Sequence, residues 1–159
     1  VTKQSRKVLT SLGIFTNEEL DSRYHVRLER YTKDMLIELH TLREIVDTFV
    51  VPATLGYAGS LASAAAQAKA AGITVIPQTG IANKVGAMIE ELLKRRENLA
   101  SVIAKAESMH EDPGAQAKLL TSKGAEAMES VREKCDELEL MVSDSEWPLP
   151  KYREMLFPV

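Results

Sequence analysis

Apolar side chains recur every three or four residues along most of this chain, the spacing that lines one face of an α-helix. The first long series is Leu20, Tyr24, Leu28, Tyr31, Met35, Leu39, Leu42, Val46 and Phe49. Thr16 and Glu19 form a capping box at its start, the hydroxyl serving an unpaired amide and the carboxylate reaching back. Phe15, just ahead of the cap, is placed to staple onto Leu20. Pro52 lacks an amide and crowds the preceding turn, so it is expected to kink or end this helix. The alanine-rich run from Leu61 to Ala71 predicts that helix resumes and ends at Gly72. Ahead of all this, residues 3–12 predict a short helix closed by Gly13.

Residues 72–80, GITVIPQTG, are bracketed by glycines and broken by Pro77, and Ile73 to Ile76 is the one β-like run; an extended linker is expected. A second helical series follows with Ile81, Val85, Ile89, Leu92, Leu99, Ile103 and Ala106. Asp112, Pro113 and Gly114 form a turn, with Pro113 suited to the first position of a third helix. That helix carries Leu120, Ala127, Val131, Cys135, Leu138 and Val142. Long helices with short links fold back on each other, which predicts an all-α protein. Its architecture is an antiparallel bundle of three to four long helices with an irregular C-terminal tail, four if Pro52 splits the first. The divisions are a lead-in at 1–15, the bundle at 16–143 and the tail at 144–159.

Composition changes this picture little. With 159 residues, 45% apolar and 5% aromatic, the chain can build a core and favours helix over sheet. A net charge of −3 gives no electrostatic case for nucleic acid. The last third, residues 111–159, carries six basic and eleven acidic side chains. Because apolar residues run through it at helical spacing, it reads as a solvated helix face. Cys135 stands alone, which rules out an intrachain disulfide and a cysteine-built zinc site and fits a reducing compartment. No run of about 18 uninterrupted apolar residues occurs, so no membrane span is expected, nor a signal peptide. The first residue, Val1, suggests a piece of something longer.

The search for chemistry yields little. No GxxxxGK[ST] and no GxGxxG is present. Glu107 and His110 share the Glu-x-x-His spacing of di-iron bundles, but those need it twice, and a solvated helix end is the favoured reading. His40 and Glu44 fit a surface pair four residues apart, and His25 has no evident acidic partner. Cys135 within an apolar series behaves as a small hydrophobe. Lys94, Arg95 and Arg96 could meet phosphate, but Glu90, Glu91 and Glu97 blunt the field. Trp147, followed by Pro148 and Pro150, reads as an anchor, with Tyr152, Arg153 and Phe157 beside it as candidate interface residues. It could dock on this bundle or on a neighbouring domain or subunit.

Residues 135–157, CDELELMVSDSEWPLPKYREMLF, resemble the C-terminal end of type III glutamine synthetases. Residues 11–53, SLGIFTNEELDSRYHVRLERYTKDMLIELHTLREIVDTFVVPA, resemble the stretch after their catalytic core. The resemblance implies a cytoplasmic ligase joining ammonia to glutamate with ATP and Mg²⁺, assembled as a dodecamer of two hexameric rings. It also implies that 1–15 leads out of the catalytic core, and that the family's catalytic, metal and nucleotide residues lie upstream. No catalytic, cofactor-binding or metal residue is therefore expected here, and no isolated activity. The leading expectation is a non-catalytic C-terminal helical domain with a structural, oligomer-assembly or regulatory role, packed on the core of its parent chain. The alternatives are an independent helical interaction module, using surplus apolar surface at Ile73, Val75 and Ile76, and a metal enzyme built on Glu107 and His110.

Overall fold

Thr2 accepts a hydrogen bond from the Ser5 amide and opens α1, Lys3–Ser11, which Gly13 closes in the left-handed conformation (φ 68°). The computed structural model describes residues 2–74 and 77–156, without the side chains of Tyr152 and Arg153. Among the described residues all regular structure is helical. The capping box ahead of α2, Asn17–Ile45, is complete. The Glu19 amide donates to the Thr16 hydroxyl at 3.1 Å, and the Thr16 amide donates to the Glu19 carboxylate at 2.8 Å.

The helix does not end or divide at Pro52. After α2 the chain makes one π-helical turn, Val46–Val50, and runs on as α3, Val51–Ala70. In that turn the Val51 amide donates to the Val46 carbonyl, five residues back. The wider turn relaxes the spacing just where the proline ring would crowd the preceding carbonyl. One run, Asn17–Ala70, is thus helical for 54 residues. It contains an 18-residue window of mean hydropathy 1.3, only 17% buried, so by length and composition it could cross a membrane. A search for uninterrupted apolar runs misses this window because Pro, Gly, Ser and Thr are interspersed among its apolar residues.

The expected linker is shorter than 72–80. Gly72 (φ 79°) closes α3, and α4, Pro77–Glu107, begins at the proline itself, where a fixed φ suits a first helical residue. Ile73 and Thr74 lack regular structure, while Val75 and Ile76 lie outside the described residues. Asp112 caps α5, Pro113–Leu119, through the Ala115 amide at 3.0 Å. A second π turn, Leu120–Gly124, joins α5 to α6, Ala125–Glu139, and a single turn, α7, Tyr152–Leu156, lies in the tail.

Three segments build the core: the second half of α2 with its π turn, α4, and α5 through α6. Leu39, Val46, Val50, Leu92, Leu99, Ile103, Leu120, Val131 and Leu138 are fully buried in one cluster. The expected series on α4 and α6 matches it closely. On the first helix it drifts, because the π turn places Val50 inward and leaves Phe49 exposed. Tyr24 and Ile81 are also exposed, since the start of α2 and the tip of the α3–α4 hairpin reach past the bundle.

Candidate functional site

The tail is fastened from within. Trp147 is 9% exposed and belongs to the core cluster, with half-buried Leu149 and Met141 against it. The Trp147 amide donates to the Ser143 carbonyl at 3.0 Å, turning the chain so the indole points inward. Lys151 then ties the tail to the end of α6, donating to the Glu139 carbonyl at 3.3 Å and pairing with Asp144. Pro148 and Pro150 are exposed, so the structure does not gather them with Trp147. The Tyr152 and Arg153 side chains and Phe157 lie outside the described residues.

The polar candidates resolve into seams between helices. His40 Nε2 lies 2.9 Å from Glu107 Oε1 and pairs α2 with the end of α4; its ring partner across sequence is therefore Glu107, not Glu44. His110 Nδ1 faces the Glu107 backbone carbonyl at 3.3 Å, so the Glu-x-x-His spacing brings no carboxylate to that histidine. His25 packs edge-on near Tyr24, with ring centroids 6.0 Å apart. The basic run on α4 is split. Arg95 donates to the Ser130 carbonyl at 2.7 Å, and Arg96 Nε to Asp47 at 2.8 Å, a hydrogen bond that raises the guanidinium pKa. Burial, and secondarily Asp136, pushes the Cys135 thiol up to about 11, which leaves it a neutral thiol rather than a nucleophile at neutral pH.

Two features were not foreseen. Lys134 is nearly buried between α4 and α6, with Nζ 2.6 Å from both Glu91 and Glu137. Those bonds raise the ammonium pKa, and the bond to Lys134 holds Glu91 below the usual carboxylate range. The charge pattern Glu91…Lys134…Glu137 had no sequence signal, because Lys134 looks like any helix lysine until the register of α6 is known. At the α1–α2 elbow, Leu9, Phe15, Leu20, Arg23, Tyr24 and Arg27 line a groove of about 300 Å³. The Arg23 guanidinium lies 4.7 Å from the Phe15 ring centroid, and Arg6 pairs with Asp21, which lowers the Asp21 pKa.

Among the described residues no three His, Cys, Asp or Glu side chains converge on a point that could hold a metal ion. Several carboxylates, Asp47 and Glu91 among them, are instead held by cations across helix seams.

Residues 1–69 match the family model of the glutamine synthetase C-terminal domain. Over 97% of its length the chain is 30% identical to a glutamine synthetase of Bacteroides fragilis (strain YCH46), of which it covers 22%. It is 26% identical to the type-3 glutamine synthetase of Dictyostelium discoideum, over 98% of this chain and 22% of that protein. A glutamine synthetase of Butyrivibrio fibrisolvens is 29% identical over 99% of this chain and 23% of its own length. The chain thus spans less than a quarter of the curated relatives it matches. With its helical bundle, the family match over residues 1–69 and these relatives, a type-3 enzyme among them, the chain is similar to the C-terminal domain of glutamine synthetases.

Proposed function

We propose that this chain is the non-catalytic C-terminal helical domain of a type III glutamine synthetase, and that it packs on the catalytic core and helps assemble the oligomer. The parent would be a cytoplasmic, ATP- and Mg²⁺-dependent ligase joining ammonia to glutamate. One observation supports the docking role most. The N-terminal arm holds Val8, Leu12, Ile14 and Val26 at 49%, 67%, 53% and 64% exposure, within the residues that match the family model. Apolar side chains grouped in this way mark a surface that another body covers. The arm is also stiffened before it meets that body, by the capping box, by Arg6 on Asp21 and by Arg23 on Phe15.

The test is Val8→Asp with Leu12→Asp. In the full-length enzyme the pair should lower ligase activity and shift the assembled species to smaller mass. In the 159-residue chain, where both positions are exposed, helix content and thermal midpoint should hold. A full-length double variant with normal activity and size would remove the docking role.

A further inference from the structure

The most apolar stretch of this protein is among its least covered. Between Asp47 and Glu90 there is no carboxylate, and only Lys69 and Lys84 carry charge. Most of that stretch is the α3–α4 hairpin, and α3 packs chiefly on α4. Within α3 only Thr54 and Ala65 are buried. Phe49, Pro52, Leu55, Gly59, Ala62 and Ala66 fall three or four residues apart, and all six are exposed. Phe49 and Leu55 are large side chains at 48% and 54% exposure. The positions from Pro52 to Ala66 fall on one side of α3, and nothing among the described residues covers them.

We infer that this face is the contact between two copies of the chain, hairpin against hairpin about a two-fold axis. The inference rests on the assembly role proposed above and names its surface and its partner. Three features favour a second copy. A face whose only charges are Lys69 and Lys84 offers a basic partner no carboxylate to pair with, whereas a second copy can meet it through the uncharged positions from Phe49 to Ala66. Small side chains at 59, 62 and 66 let a facing helix approach to the short end of the usual interaxial range. The size also suffices: a helix of about 20 residues is about 30 Å long and about 10 Å across. Two side by side then present about 600 Å² per copy, and a pair of hairpins removes about 1,200 Å², the lower bound of specific interfaces. A lipid bilayer is the less favoured occupant. Ser60, Ser63 and Gln67 interrupt α3, and Gln78, Thr79, Asn83 and Lys84 stand on the returning leg.

The experiment is sedimentation velocity on the 159-residue chain over a concentration series, for the wild type and for Ala62→Glu with Ala66→Glu. Both positions are exposed helix sites, so the variant keeps its fold, which circular dichroism checks. The wild type should move from 17.6 kDa toward twice that mass. The variant, which sets carboxylates from both copies in one dry contact, should associate about 100-fold more weakly. A wild type that stays monomeric into the hundreds of micromolar overturns the inference, and so does a variant that pairs as well as the wild type. Flotation of the wild type with neutral phosphatidylcholine vesicles, lost in the variant, would also overturn it by assigning the face to lipid. Val8→Asp with Leu12→Asp should not alter this readout, so failure of the hairpin contact and failure of core docking stay distinguishable.

Discussion

The centre of this molecule and its two projecting arms are made of the same helices but follow opposite rules. From Thr32 to Val50, and along Val85–Ala106 and Gln116–Val142, buried side chains recur at least every second helix turn. Polar groups in the centre are paired across seams, as Arg96 is with Asp47 and Lys134 with Glu91. In the arms, α1 with the start of α2 and the distal part of α3 with the start of α4, the same helical spacing leaves large side chains in water. Helical periodicity therefore reports that a face is to be covered, and does not report by what. The centre is covered by its own chain, and the arms are not.

Truncations should break this contrast in order of burial. Leu99→Ala, at a fully buried site on α4, should cost about 3 kcal/mol by urea unfolding, within the range for aliphatic deletions in a packed core. If Leu55→Ala on the hairpin costs as much in dilute monomer, the division between centre and arms is wrong; a cost below about 0.5 kcal/mol is expected. Trp147→Ala should cost about 2 kcal/mol, less than a fully enclosed tryptophan, because the short tail can lift away while the bundle closes. Its effect on the size and activity of the full-length enzyme should follow only from that loss. An unchanged thermal midpoint would show that the indole does not fasten the tail.

The seams should respond more gently. Glu91 has its pKa lowered in the folded state, so its pair with Lys134 contributes fully above the ordinary carboxylate value of 4.5. That contribution fades as pH falls through the lowered folded value. Glu91→Gln should flatten the acid limb of the stability profile by a small amount, since the carboxylate faces water. An unchanged limb would mean the pair adds nothing. The smallest effect concerns Cys135. With its thiol pKa near 11, alkylation by iodoacetamide at pH 7.5 should be slow in the folded chain and rise on unfolding in urea. Fast labelling of the folded chain would contradict that environment.

Much of the centre was legible because helices that pack on both flanks write strict apolar series. Val85, Ile89, Leu92, Leu99, Ile103 and Ala106 all prove buried, and so do Leu120, Ala127, Val131, Leu138 and Val142. The path through Pro52 was not legible, since a π turn has no composition of its own and only its hydrogen bonds reveal it. The start of α4 was missed because Pro77 reads equally as a breaker and as a first helical residue. Of the tail residues singled out in the sequence, Trp147, marked by its size and isolation, lies in the core cluster. Partnerships such as His40 with Glu107 join residues 67 apart and depend on a register that no local pattern carries.

The π turn at Val46–Val50 has one further consequence. Adding one residue to a helix turns everything beyond it by about 100° about the axis. The turn therefore works as a fixed angular offset between two lengths of one rod: Leu39 and Val46 look into the bundle, while the stretch past Val50 turns toward α4. Deleting one residue within the turn would leave the rod whole and rotate the hairpin as a unit. In this protein the aim of the outer arm is thus set by residue count inside a helix rather than by the length of a loop.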